Sequence, residues 1–164
     1  AGISPKHDGN PHRINQMSVI EWNKVIDVNL NSCFNLTQIL SNDMINNRFG
    51  QIVCMSSVAG KAYLDLVGTH YATTKAALIG FVRHVAGELG PHGITVNALA
   101  PGRIDTPLLK TVADGLNQKI IKDTPLRRLG TPEEVAKASL WLTSSQANFI
   151  TGQVVDVSGG WLMT

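Results

Sequence analysis

Residues 51–100, QIVCMSSVAGKAYLDLVGTHYATTKAALIGFVRHVAGELGPHGITVNALA, decide the fold. The first five, QIVCM, are a short β-rich run that stops at a Ser pair and Gly60, as expected of a buried strand opening into a loop. Residues 71–89 are Ala-rich with strong helical character, and Gly90 followed by Pro91 supplies a stop signal. ITVNALA (94–100) is again strand-like and runs into Pro101 and Gly102. Strand, helix of about five turns and strand make a βαβ unit, which implies parallel pairing with a right-handed crossover. An α/β layered fold follows.

Upstream, residues 3–17 (ISPKHDGNPHRINQM) lack periodicity and predict a loop. Ser18 with Glu21 three positions on predicts a capping box that opens a long helix. Trp22, Val25, Ile26, Leu30, Cys33, Phe34, Thr37, Leu40 and Met44 recur at helical spacing and predict one buried face, with Gly50 ending the helical region. Downstream, Thr131, Pro132 and Glu134 predict another helix start with its own capping box. QVVDV (153–157) is the last strand, followed by a tight turn at Ser158, Gly159 and Gly160 and a short apolar tail, 161–163. Internal repeats and low-complexity segments are absent.

Composition narrows the function. The 164 residues predict one domain, and 43% hydrophobic against 16% charged excludes disorder as the main state. Fourteen Lys and Arg against twelve Asp and Glu give 14 − 12 = +2 without a basic run, which argues against nucleic acid as a partner. The two cysteines, Cys33 and Cys54, are expected as small buried hydrophobes of a reducing cytoplasm rather than a disulfide framework. Neither an apolar run of ~18 residues nor a signal-peptide layout occurs, so a soluble cytoplasmic protein with no membrane partner is expected. The chain opens at AGI without a Met, as if entered partway through a protein.

Tyr71 and Lys75 form a YxxxK pair, one helical turn apart on one face. An ammonium beside a phenol favours phenolate and makes it a better proton-transfer group at neutral pH. A helix pair with its Lys in solvent is the other reading of so short a motif. Ser56 and Ser57 close the strand at 51–55, where the C-terminal edge of a parallel sheet offers hydroxyls to a crevice, although Ser pairs also end strands and cap turns. Asn29 interrupts the apolar stripe of the first helix, so its buried amide must find partners, either to tie down a helix kink or to serve a site. His84 and Glu88 suit an exposed pair, and His7, His12, His70 and His92 lack ligand spacing, so no metal is assigned.

VCMSSVAG (53–60), YATTKAALIGF (71–81), ITVNALAPGRIDT (94–106), RRLGTPEEVA (127–136) and ITGQVVDVSGG (150–160) resemble, in order and with nearly the same spacings, the successive signatures of the short-chain dehydrogenase/reductase family. The resemblance covers almost the whole chain. It implies a Rossmann-like, doubly wound parallel sheet with helices on both faces. It implies NAD or NADP as cofactor and a carbonyl or secondary alcohol as substrate, with 3-oxoacyl thioesters among the possibilities. The implied catalytic tetrad is Asn29, Ser57, Tyr71 and Lys75. Tyr71 would be the proton donor, Ser57 would hold the substrate oxygen, Lys75 would lower the phenol's pKa and bind the nicotinamide ribose, and Asn29 would hold a relay water. Gly2, Tyr71, Lys75, Pro101, Gly102, Ile104 and Thr106 would face the cofactor, with Ser57 and Tyr71 facing the substrate.

Three departures accompany the resemblance. No GxxxGxG or GxGxxG occurs, so the pyrophosphate cradle is missing, together with the residue that selects NAD over NADP. The interval from Ser57 to Tyr71 is one residue longer than is usual in the family, and Ser158 stands where an Asp often precedes the final Gly pair. The expected organisation is a single Rossmann-like domain over 1–164, N-terminally incomplete. The rival expectation is a non-catalytic fragment that associates through its helices and binds no dinucleotide. A mobile lid is expected at 105–125 from breaks at Asp114, Gly115 and Pro125. The helices at 18–46 and 71–89 are expected to pair across a two-fold axis into a dimer or tetramer.

Overall fold

In the computed structural model, which describes residues 2–107, 109 and 114–163, β1 (Gly50–Met55) and β2 (Ile94–Pro101) run parallel. Gly50 lies opposite Ile94 and Met55 opposite Leu99. β3 (Val154–Val157) follows in parallel on the other side of β2, with Ala98 opposite Val154, so the sheet order among the described residues is β1-β2-β3. β2 is buried at Ile94, Val96 and Ala98 and equally at Asn97 and Leu99. Successive strand residues point to opposite faces, so both faces of this strand are covered, as a parallel sheet requires. The helix between β1 and β2, α3 (Thr69–Leu89), packs Val82, Ala86 and Leu89 against Cys54, Ile94, Val96 and Ala98. The α/β, Rossmann-like class expected from the sequence is the one observed.

The expected first helix is two, α1 (Val19–Ile26) and α2 (Ser32–Asn47), joined by a π-helical turn, Asp27–Asn31. Ser18 Oγ accepts the Glu21 N–H at 3.1 Å, but the reciprocal half of the expected capping box does not form, because His7, His12 and His70 hold the Glu21 carboxylate. Helix termination also differs from expectation. Arg48, at φ 50°, turns left-handed and returns its N–H to Ile45 O, while Gly50 already belongs to β1.

The buried face expected along this helix is only partly buried. Val25 is inside, but Phe34 and Leu40 are each 48% exposed, with Leu36 and Ile39 beside them more so. The physical reason lies in the sheet: β1 is an edge strand among the described residues, so α2 overhangs it and covers one side only. Cys33 is likewise half-buried, in contrast to buried Cys54.

Beyond β2, Asp114 and Gly115 open a helix, α4 (Asp114–Asp123), where the sequence suggested breaks. Ile120 and Thr124 bury it, Thr124 Oγ1 bonding Ile120 O at 2.7 Å. Of the expected lid, residues 108 and 110–113 lie outside the described residues. α5 (Pro132–Leu142) starts with the full capping box, Thr131 Oγ1 accepting Glu134 N–H and Glu134 Oε2 accepting Thr131 N–H. Among the described residues, no helix is long and apolar enough to cross a membrane.

Candidate active site

The C-terminal end of β1 and the first turns of α3 are bound together through backbone groups. Ser56 donates its N–H to Leu99 O at 2.8 Å, so it prolongs the sheet, and its Oγ donates to Lys75 O at 2.7 Å. Ser57 then caps a single 3₁₀ turn, Val58–Gly60, by accepting the Ala59 N–H at 3.2 Å. That turn lies directly on α3: a Cβ at Gly60 would stand 2.5 Å from the Lys75 carbonyl carbon, so only glycine allows the approach. Ser57 is thereby delivered beside the first turns of α3, which carry Tyr71 and Lys75.

Lys75 is 4% exposed, and its Nζ donates to Met55 O at 2.7 Å and lies 5.5 Å from the Tyr71 ring centroid. Burial pulls the Lys75 ammonium below its ordinary pKa. The Tyr71 phenol moves the other way: burial pushes it up, and the hydrogen bond with Ser57 pulls it down without offsetting that. A lowering of the phenol's pKa by Lys75, which the sequence led one to expect, is not among the causes of this shift. The ammonium gives one of its donors to a strand carbonyl, and desolvation is the largest cause of the shift in both groups.

Asn29, in the π-helical turn, is 4% exposed and ties down the N-terminal segment. Its Oδ1 accepts the Ile3 N–H at 2.8 Å, while its Nδ2 donates to Ile3 O at 2.9 Å and to Thr74 Oγ1 at 3.3 Å. Of the two readings the sequence left open, these contacts match the structural tie, since both amide protons are spent within the protein. Gly2 is carried alongside: a Cβ there would lie 3.4 Å from Asn29 Oδ1 and 3.6 Å from Lys75 Nζ.

From β2 the chain continues through Gly102, whose N–H bonds Val157 O at 3.0 Å, to Ile104, which pairs with Gly130 in an isolated parallel bridge. The loop is thus fastened to β3 and to the approach to α5. Gly2, Ser57, Tyr71, Lys75 and the loop positions Pro101, Gly102, Ile104 and Thr106 all line one cleft of about 380 Å³. Of the residues that the family resemblance assigned to the site, Asn29 alone does not line the cleft.

Sequence patterns did not announce Ser4, Lys6, Arg103 or Trp161, which line the same cleft. Ser4 and Lys6 come from an aperiodic loop, where no spacing carries a signal. Lys6 Nζ donates to Leu66 O, and its pKa is lowered by burial and then by the Arg103 charge. His84 and Glu88 form an exposed pair at 3.0 Å.

A family profile described as enoyl-(acyl carrier protein) reductase matches residues 1–162. The 3-oxoacyl-(acyl-carrier-protein) reductase of Chlamydia muridarum is 45% identical over 149 residues, covering 88% of this chain and 58% of that protein. The crystal structure of a 3-oxoacyl-(acyl-carrier protein) reductase from Brucella melitensis superposes with a TM-score of 0.97 at 53% identity, covering 99% of this chain and 61% of that one. A Brucella melitensis reductase with bound NAD gives 0.94 at 52% identity, covering 99% and 60%. The chain therefore spans about three-fifths of the length of these relatives. With its parallel sheet, its YxxxK helix and these likenesses together, the chain belongs to the short-chain dehydrogenase/reductase family.

Proposed function

We propose that the protein is an NAD(P)-dependent oxidoreductase that interconverts a carbonyl and a secondary alcohol, with 3-oxoacyl thioesters as its substrate class. The observation that carries this reading is the convergence of Ser57, Tyr71 and Lys75 on one cleft at the C-terminal ends of parallel strands, where open α/β sheets bind their ligands. Relatives that carry the reductase name at 41–45% identity support the substrate class.

The cleft suits the nicotinamide end of a dinucleotide. Ser4 lines it, its buried Oγ has no hydrogen-bond partner among the described residues, and a ligand's polar edge would satisfy that atom. Lys75 Nζ would hold ribose hydroxyls, and the Ile104 backbone would hold the carboxamide, with Gly2, Pro101, Gly102 and Thr106 around them. When bound, the nicotinamide supplies or accepts the hydride. Ser57 donates a hydrogen bond to the substrate oxygen, and Tyr71 delivers a proton to it. A phenol raised by burial stays protonated at neutral pH, which suits the reductive direction. Asn29 acts as a positioning residue: it fixes Ile3 and so holds Gly2 against Lys75. The phosphate-binding glycine turn is not among residues 1–164. On this reading residues 1–164 belong to one Rossmann-like domain, and the exposed face of α2, with Phe34, Leu36, Ile39 and Leu40, pairs with a second copy.

The test is Tyr71→Phe in the protein at its full natural length, following nicotinamide absorbance with an acetoacetyl thioester and each coenzyme. Loss of general acid catalysis should cut kcat by about 10²- to 10⁴-fold with the circular dichroism unchanged. Retention of more than about a tenth of the rate would overturn the assignment.

A further inference from the structure

Glu21 is the meeting point of three imidazoles. Its Oε2 lies 2.8 Å from His7 Nε2 and 3.0 Å from His12 Nδ1, and its Oε1 lies 2.9 Å from His70 Nε2. The sequence spacing gave no reason to join His7 and His12, which sit five positions apart in a loop. The fold joins them through a hairpin: His7 N–H bonds Asn10 O at 2.7 Å, and Asn10 N–H bonds His7 O at 3.0 Å. Its two central residues, Asp8 (φ 48°) and Gly9 (φ 80°), take the left-handed conformations of a primed turn, for which Asp-Gly is a preferred pair. The turn sets the two rings parallel, 5° apart in plane and 3.4 Å between centroids, with one nitrogen of each aimed at the same carboxylate oxygen.

The donor atoms of His7, His12 and Glu21 all lie within 4.8 Å of one another. Tetrahedral zinc, with bonds of about 2.0–2.2 Å, spaces its donors about 3.3–3.5 Å apart, so this set closes on an ion by relative shifts of at most about 1.5 Å, with the two stacked rings tilting apart. His70 supplies the outer support such sites need. It is fully buried, and its Nδ1 accepts the Tyr71 N–H at 2.7 Å, which leaves Nε2 as the donor that fixes Glu21 Oε1. The other oxygen is thereby turned toward His7 and His12. Two imidazoles and one carboxylate with the fourth direction open is the donor set of a zinc-class cation. The His7 side chain is 42% exposed, so an ion has direct access.

We propose that His7 Nε2, His12 Nδ1 and Glu21 Oε2 bind one divalent cation of the zinc class, with water completing the coordination. The ion pins the 7–12 hairpin to the first turn of α1. Through Glu21 and His70 it also braces the peptide N–H of Tyr71. The proposal stands apart from the oxidoreductase reading, because its readouts are metal occupancy and spectrum.

The experiment strips the full natural protein with a chelator and titrates it with Co²⁺ alone and then Zn²⁺ alone. Saturation at one equivalent per chain, visible absorption bands of a four-coordinate Co²⁺ adduct and displacement by Zn²⁺ are expected. His7→Ala and His12→Ala, both remote from the cleft chemistry, should each weaken binding at least about 100-fold, since losing even an outer-shell partner costs 10- to 100-fold. Circular dichroism establishes that the variants fold. Absence of saturable Co²⁺ binding by the unmodified protein overturns the proposal, as does stoichiometric binding that survives both substitutions.

Discussion

Ser56 Oγ donates to the carbonyl oxygen of Lys75 at 2.7 Å, while the ammonium of the same lysine donates to Met55 O, one residue before Ser56, at 2.7 Å. Strand end and helix are clasped in both directions, and Lys75 is held at its backbone and at its tip. Ser56→Ala removes one buried neutral hydrogen bond, worth about 0.5–1.5 kcal/mol. For a chain of this size that lowers Tm by roughly 1–6 °C, since 1 kcal/mol corresponds to about 2–4 °C. Thermal unfolding followed by circular dichroism checks the value, and an unchanged Tm would mean that the clasp carries no stability.

Lys75 is buried without an acid partner among the described residues, and burial lowers its pKa. An isolated buried ammonium costs stability and persists where function requires it. Lys75→Met should therefore raise Tm while lowering kcat at least about 100-fold in the natural protein. The sign follows from the shift. A lysine whose folded pKa lies below its unfolded value opposes folding at neutral pH, and this penalty fades as pH rises from the lowered folded pKa and is gone above the unfolded value of about 10.4. The Tm gain of the variant should shrink over the same alkaline range, which a series of melts at different pH measures.

The parts legible in the sequence are those governed by local pattern. β1, α3 and β2 announce themselves because strand runs, an Ala-rich helix and Gly-Pro punctuation act over a few residues, and the spacing of Tyr71 and Lys75 is itself one helical turn. Glu21 shows the limit. Its position three after Ser18 predicted a capping partner, yet its carboxylate is claimed by His70, 49 positions away, and by two residues of a hairpin. The α2 stripe shows a second limit: a helical period says which residues share a face, and the extent of the sheet beneath decides how much of that face is covered. Ser4 and Lys6 reach the cleft from a loop whose path depends on Asn29 gripping Ile3.

Glu134 gives an acid-range test. The Arg128 guanidinium, then the Thr131 N–H, hold its carboxyl down at about 2. The folded pKa lies below the ordinary glutamate value of about 4.3, so the stabilisation is complete above that value and is lost as pH falls from there toward 2. The Tm difference between the unmodified protein and Glu134→Gln should be constant above pH 5 and shrink below it. A difference independent of pH would mean that the cap works through shape alone.

The exposed α2 face yields an assembly prediction. Burying Phe34, Leu36, Ile39 and Leu40 against a second copy gains roughly 1.5–3 kcal/mol for each side chain fully covered. Sedimentation of the natural protein at micromolar concentration should show a dimer or larger, and Leu36→Glu with Ile39→Glu should shift it to monomer. A parent protein already monomeric would refute the pairing.

Cys33 and Cys54 supply the last test, on the flank of Lys75. Their sulfurs are 3.0 Å apart, both as free thiols, on α2 and β1 respectively. The hydrogen bond between them, then burial, pushes Cys54, deeper in the core, far up, and the same hydrogen bond pulls the half-buried Cys33 down. The Lys75 charge lowers both, more weakly. Thiolates are the alkylating species, so Cys33 should react with iodoacetamide at pH 8 while Cys54 stays intact, as peptide mass spectrometry would resolve. Cys54→Ala removes the donor and should carry the alkylation midpoint of Cys33 back toward the ordinary thiol value of about 8.5. An unmoved midpoint would show that the hydrogen bond between the two thiols does not set the reactivity of Cys33.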